Sequence, residues 1–445
     1  MSTSDEGTTS LFTRARRAAL GALPPGTFPL ACATAVAGIT VYGFLGLTAR
    51  VLGPVEYAPL SVLWSLVLIM GPGLFVPLEQ ELGRSLAGVG AGGPLAGSLV
   101  RRSVIVGTVV SAFVVTVALV GSQPLLEHLF GGSWALLAAC CIAVPALAAT
   151  HLLRGLLAGQ GRFMPYAWLL GAEGVVRFVG AALLFLAGAT LVGEYGILVG
   201  LAPLIAVVAV ALASRPRIPP VREVVPWRRV IESVAYLLVG SLGLQVLINA
   251  GPLAVQLIGG GEQPDAAGRL LAGLVLTRVP LYMFQAVQAA LVPELAAMGA
   301  ASDHTSFRRG ITRLLLAIGA LTALGVLGAV TVGPAALSLL FGPEFTLTRL
   351  DLALLTLASC TLMSAQACGG ALVSVHRHAR AGLGWAAGVV VFGLALLWPG
   401  PLFLRVELAL LAGSLASAVA LGAALASTVR RQRRTEPATT VAHGA

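Results

Sequence analysis

The chain has 445 residues, 57% of them hydrophobic and only 10% charged, where a soluble domain carries about a quarter. A water-soluble fold of this length would have to expose large apolar patches. That excludes a soluble enzyme and leaves an all-α polytopic membrane protein. The net charge of +10 comes from 28 arginines and no lysine, set in short clusters between apolar runs, which argues against a nucleic-acid groove and follows membrane topology.

Residues 1–28 read as a polar cytoplasmic N-terminus. The apolar run behind them lacks a small-residue cleavage site and is predicted as a retained helix. A bilayer core about 30 Å thick needs about 20 apolar residues per crossing. Stretches of that kind predict twelve transmembrane helices: 30–49, 56–78, 103–121, 134–157, 164–188, 192–213, 234–258, 270–295, 312–332, 350–373, 382–399 and 404–427. With both termini cytoplasmic, 22 arginines fall at cytoplasmic loops and helix ends and 4 outside, while Arg177 and Arg278 lie within spans. Positive loops stay cytoplasmic, so this bias fixes the predicted orientation and supports an even number of spans.

Residues 214–233, "SRPRIPPVREVVPWRRVIES", hold four prolines and five arginines and read as a stiff cytoplasmic linker. It separates a six-helix lobe at 29–213 from another at 234–428, with a basic cytoplasmic tail at 429–445. The halves echo one another. Phe130 in "HLFGGSW" matches Phe341 in "LLFGPEF", Pro77-Leu78-Glu79 matches Pro293-Glu294-Leu295, and Arg162 matches Arg377, all at offsets near 215. Two like-oriented six-helix repeats would enclose a central cavity.

Charges inside spans mark candidate sites, because each costs about 2.5–3.5 kcal/mol on insertion scales. Glu173 and Arg177 lie roughly 15 and 21 Å along the fifth span, one turn apart on one helix face. Two readings stay open: a mutually neutralised brace, or an Arg177 that binds a substrate diphosphate while Glu173 orients it. Arg278, in the eighth span, has no acid at helical spacing, so a ligand or another helix must partner it unless it snorkels outward. Gln245 and Asn249 in the seventh span, and Gln285 and Gln288 in the eighth, suit either helix–helix hydrogen bonds or sugar hydroxyls. Glu79, Glu81, Glu294 and Arg154 sit near cytoplasmic ends, where loop contacts suffice, and His151 stands alone. No spacing of ligands suggests a metal, and none suggests a cofactor. The five cysteines, all in apolar runs, read as buried small hydrophobes. Gly71-Pro72-Gly73, Pro145, Gly251-Pro252 and Pro280 interrupt spans and are candidate bends.

Several segments together resemble a known family. They are "ARVLGPVEYAPLSVLWSLVLI" at 49–69, with Arg50, Leu52-Gly53-Pro54 and Glu56-Tyr57, "LLRGLLAGQGRFMPYA" at 152–167, "AALVPELAAM" at 289–298 and "LLFGPEF" before the tenth span. In order and spacing they are similar to the polysaccharide-type lipid-linked oligosaccharide flippases, members of the MATE-like multidrug/oligosaccharidyl-lipid/polysaccharide (MOP) exporter superfamily. The resemblance covers residues 28–430. It implies two six-helix lobes around a cavity in the bacterial cytoplasmic membrane, with polyprenyl-diphosphate-linked oligosaccharide as substrate and transport by alternating access. It implies membrane lipids as further partners and H+ or Na+ as a candidate coupling ion, with membrane potential or consumption of the product outside as other driving forces. An ion-coupled drug or metabolite exporter of the same fold is the alternative. Two departures matter: the first span carries no charge, unlike relatives that flip the peptidoglycan precursor, and the candidate acid Glu173 lies in the fifth span. A membrane glycosyltransferase would need acids in substantial external loops, and the external connections are short. A phosphate-cradling G-x-x-x-x-G-K-[ST] loop cannot occur without lysine.

Overall fold

The computed structural model describes residues 27–281, 304–375 and 377–435, and those residues are mostly helical with no strands. Among them, fourteen α-helices follow in chain order: α1 Thr27–Met70, α2 Val76–Val89, α3 Ala96–Val120, α4 Ser122–His128, α5 Trp134–Gly159, α6 Phe163–Leu186, α7 Val192–Ser214 and α8 Trp227–Gly259. Then come α9 Ala266–Thr277, α10 His304–Thr331, α11 Gly333–Phe341, α12 Arg349–Ser374, α13 His378–Ala395 and α14 Leu402–Thr435. Ten helical stretches among the described residues are long and apolar enough to cross a membrane. Their outer faces carry large exposed apolar side chains, such as Phe113, Val120, Leu186 and Leu212. The chain is a multi-pass membrane protein.

One of the ten stretches runs over 62 residues, from Phe28 to Val89. At 1.5 Å per residue it would be about three bilayer cores long, and it does not run straight. Gly53 takes φ 68° and ψ 169°, a left-handed φ that glycine adopts without steric penalty. This break divides the stretch at the sequence-predicted turn between the first two spans. A five-residue π-helical turn, Gly71–Phe75, follows in the second limb. Pro72 lacks an N–H, so the regular ladder cannot continue through it, and Ser241 on α8 donates its hydroxyl to the Pro72 carbonyl at 2.9 Å. A Cβ on Gly73 would stand 2.9 Å from Leu242. The Gly71-Pro72-Gly73 interruption is thus a packed contact with α8.

The remaining spans follow the sequence expectation closely, with two qualifications. The predicted eighth span, 270–295, is seen as α9 and the chain to Leu281; Gln285, Gln288, Pro293 and Glu294 lie outside the described residues. The connection after α7 is shorter than residues 214–233, because α8 already begins at Trp227. A capping box starts α12: Thr348 Oγ1 accepts from the Asp351 N–H at 3.1 Å and Asp351 accepts from the Thr348 N–H at 2.8 Å, satisfying donors the first turn leaves open.

Two of the expected repeat positions show matching local structure. Arg162 and Arg377 each precede a helix, with φ/ψ of −90°/67° and −101°/49°. Each N–H bonds the carbonyl five residues back, Leu157 at 2.8 Å and Leu372 at 2.9 Å. Phe130 follows the short α4 and Phe341 ends the short α11, and both are buried. Helix α5 packs on α2, α3 and α7, and α6 on α1 and α7; later in the chain α14 packs on α12 and α13, α10 on α12, and α8 on α13. The earlier and later helices meet where α1 packs on α8 and α9. Two cysteines depart from the expectation of burial: Cys141 is half-buried, and Cys32 is exposed because it lies on a mostly exposed stretch of early α1.

Candidate functional site

Small residues decide how closely the charged helices approach. A Cβ on Gly155 of α5 would lie 2.8 Å from the carbonyl oxygen of Glu79 on α2, so only glycine permits that contact. One turn away, His151 Nδ1 comes within 2.7 Å of Glu79 Oε2. On α6, a Cβ at Gly174 would meet Thr40 of α1 at 2.3 Å, and Gly43 of α1 faces the Phe178 ring. This small-residue face seats α6 on α1 and leaves Tyr166 and Glu173, seven apart, for α2 and α5, with Arg177 one turn beyond Glu173 and turned to Trp64 of α1.

The result is a largely buried cluster of polar side chains from four helices, in two neighbouring groups. Arg177 Nη2 donates to Glu173 Oε1 at 2.6 Å, and Arg154 of α5 stands 3.6 Å from the other carboxylate oxygen. The Arg177 guanidinium lies 5.0 Å over the Trp64 ring of α1, a cation–π distance. Tyr166 donates its hydroxyl to Glu79 Oε1 at 2.6 Å, so Glu79 is held by both His151 and Tyr166. Arg177 is only 4% exposed. The Nε atoms of Arg154 and Arg177 are buried without a hydrogen-bond partner. Two arginines share Glu173, and each keeps an unused donor that an anionic oxygen would accept from.

The second cluster lies on α8 and the end of α9. Arg278 donates to the Ile248 carbonyl, and its Nη1 stands 3.4 Å from Asn249 Oδ1. Asn249 in turn donates to the side chain of Gln245 at 3.0 Å and to its carbonyl at 3.2 Å. Arg278 and Asn249 are 4% and 3% exposed, so this arginine is held inward against α8 and does not reach for the membrane surface. Tyr42 of α1 donates to the Val275 carbonyl at 2.8 Å, one turn before Arg278.

Of the six sequence candidates, Glu173 and Arg177 meet in the first network, and Gln245, Asn249 and Arg278 meet in the second. Gln285 lies outside the described residues. Sequence reasoning set aside Glu79, Arg154 and His151 and did not single out Tyr166 or Trp64. Signals existed on single helices: Tyr166 shares the periodicity of Glu173 and Arg177, and His151 and Arg154 are one turn apart. That these helices meet depended on Gly155, which no local pattern announces.

The described residues enclose cavities in at least three places. One of about 200 Å³ lies among α9, α10, α11 and α12. A groove of about 590 Å³ runs between α3 and α5, and a space of about 800 Å³ is walled by the connection after α7. None of these three has Glu173, Arg177, Gln245, Asn249 or Arg278 in its lining. Among the described residues, no group of three or more His, Cys, Asp and Glu is placed to hold a metal ion.

No protein-family model matches the chain. It is 30% identical over 393 residues to the uncharacterized protein Mb3654 of Mycobacterium bovis, covering 86% of this chain and 88% of that relative. The same identity and coverage hold for the uncharacterized protein Rv3630 of Mycobacterium tuberculosis. Rv1510 of that organism, also uncharacterized, is 28% identical over 391 residues. Among solved structures, the fold is similar to an inward-facing multidrug resistance MATE family transporter of the MOP superfamily, with TM-score 0.69 and 12% identity over 89% of this chain and 96% of that one. An outward-facing MATE family transporter matches with TM-score 0.64 and 11% identity over 92% and 96%. A mutant of the Vibrio cholerae MATE transporter VcmN matches with TM-score 0.63 and 15% identity over 91% and 97%.

Proposed function

The chain belongs to the family of the mycobacterial proteins Mb3654 and Rv3630 and has the MATE fold, and from that premise we propose that it is a transporter of polyprenyl-diphosphate-linked oligosaccharides. In this reading it moves them from the cytoplasmic to the outer leaflet for cell-surface polysaccharide synthesis. Lobes at 29–213 and 234–428 alternate between inward and outward openings, and H+ or Na+ couples the cycle.

The observation that carries the reading is the sharing of Glu173 by Arg154 and Arg177, each with a buried, unpartnered Nε. A diphosphate presents several oxygens to such planar, pre-oriented donors. It would displace Glu173 from one arginine without leaving either charge bare. The amide–arginine cluster of Gln245, Asn249 and Arg278 offers donors and acceptors suited to sugar hydroxyls.

The test is arrival of the sugar-lipid at the outer leaflet in cells or vesicles. Arg177→Ala is expected to abolish it, and Arg177→Lys, which keeps the charge but loses the fork, to reduce it severely at normal protein levels. Unimpaired flipping by both variants would refute the assignment.

A second reading is export of a drug or metabolite by the same fold in exchange for protons. It is favoured by Glu79, whose carboxylate is hydrogen-bonded to His151 and Tyr166, a group of titratable side chains inside the helix bundle. Deleting the gene separates the two: lost surface polysaccharide supports the first, and altered drug tolerance with normal polysaccharide supports the second.

A further inference from the structure

The arginine-rich connection between α7 and α8 is docked along its length. Gln160 donates to the Arg217 carbonyl at 2.5 Å, and Arg162 donates to the Ser214 carbonyl at 2.6 Å. The Glu223 N–H bonds the Pro94 carbonyl at 3.0 Å, and the Val225 N–H bonds Ser98 Oγ at 2.9 Å. At Gly97 the fit is so close that a Cβ would stand 2.3 Å from the Pro220 oxygen. The connection crosses the starts of α3 and α6 and walls the 800 Å³ cavity.

Arg162, Arg215, Arg217 and Arg222 line this cavity, and no acidic residue does. Ser214, also in the wall, is 8% exposed, and its Oγ is buried with no hydrogen-bond partner. Four like charges around one space make a positive field that favours an anion there. A buried hydroxyl that donates to nothing is likewise an unmet demand.

Ile218 lines both this cavity and the groove between α3 and α5. Along α3 the groove is faced by Val104, Thr108, Ser111 and Val115, spaced four, three and four, so they form one stripe. From Val104 to Val115 the stripe is about 16 Å long, about the depth of one leaflet of a 30 Å core.

We propose that the two spaces form one binding site for a lipid with an anionic phosphate headgroup. The phosphate sits among Arg162, Arg215, Arg217 and Arg222 with Ser214 donating to it, and the hydrocarbon chain lies in the α3–α5 groove. The occupant comes from the leaflet on the arginine-rich side, cytoplasmic by the positive-inside rule. The site shares no residue with the Glu173 network, and it stands whether or not the chain flips sugar-lipids.

The experiment uses the purified full chain in detergent, with binding of phosphatidylglycerol, phosphatidylcholine and inorganic phosphate measured at equilibrium. Phosphatidylglycerol is expected to bind, with phosphatidylcholine and inorganic phosphate each far weaker. The double variant Arg217→Gln/Arg222→Gln alters two exposed side chains and is expected to weaken phosphatidylglycerol about thirty-fold, from about 1 kcal/mol per arginine near an anionic lipid. Thr108→Trp, at an exposed position, fills the groove; it should weaken phosphatidylglycerol and leave inorganic phosphate unchanged. Equal binding of phosphatidylcholine, or wild-type affinity in the double arginine variant, overturns the headgroup assignment. Inorganic phosphate binding as tightly as lipid, or no effect of Thr108→Trp, overturns the lipid assignment.

Discussion

In the half before the arginine-rich connection, Arg154 and Arg177 share a carboxylate, whereas in the half after it Arg278 donates to a backbone carbonyl and meets an amide. The two solutions respond differently to change. An ion pair in low dielectric is poised, because losing one partner strands the other charge. An amide–arginine contact is gentler, since amides neither gain nor lose charge and can exchange partners. A charge or proton arriving at Glu173 would therefore have large leverage on helix positions, and a hydroxyl arriving at Asn249 little. In the proposed transport cycle, the first network would be where movement is driven and the second where a neutral group is recognised.

The largest expected effect tests this leverage directly. Glu173→Gln removes the counter-charge from two buried arginines and should destabilise the protein by about 3–5 kcal/mol, read as a lowered midpoint of thermal unfolding in detergent. Adding Arg177→Gln to Glu173→Gln should recover part of the loss, because one of the two stranded charges goes with it while Arg154 remains. A double variant no better than Glu173→Gln alone would mean that Arg177 is not the main partner. Next comes the contact that assembles the network. Gly155→Val forces side-chain atoms against the Glu79 backbone, and overpacking of this kind costs about 1–3 kcal/mol. It should also part His151 from Glu79, so in this background His151→Ala is expected to cost less than in the wild type. An unchanged cost would show that Gly155 does not set the α2–α5 spacing.

Much of this arrangement was legible in sequence, but only where the information is local. Span lengths follow from bilayer thickness, and the break at Gly53 and the irregular turn at Pro72 follow from what glycine and proline do to a helix. Glu173 and Arg177 could be paired because four residues is one turn. Glu79 and His151 are 72 positions apart, and nothing in either neighbourhood says that α2 and α5 touch. Contact depends on glycine at one position of α5, in a chain with 54 glycines, and sequence alone does not distinguish that one from the rest. Likewise the connection after α7 reads from composition as a stiff spacer. Its docking onto α3 depends on hydrogen bonds to the Pro94 carbonyl and to Ser98 Oγ and on the bare face of Gly97, none of which has a sequence signature.

The smallest effect sharpens the comparison most. Asn249→Ala removes an acceptor from Arg278 and a donor from Gln245 but leaves the Ile248 carbonyl in place. Side-chain hydrogen bonds between membrane helices average about 0.6 kcal/mol and reach about 1.7, so the loss in thermal stability should fall in that range, several-fold below that of Glu173→Gln. Asn249→Asp gives the opposite test, since it supplies the second half with the kind of counter-charge that the first half already has. If the two clusters differ as their contacts indicate, Arg278→Gln should cost more in the Asn249→Asp background than in the wild type, because it would then strand a buried carboxylate at position 249. A cost for Asn249→Ala equal to that of Glu173→Gln would erase the distinction, because it would mean that an amide holds a buried arginine as firmly as a carboxylate does.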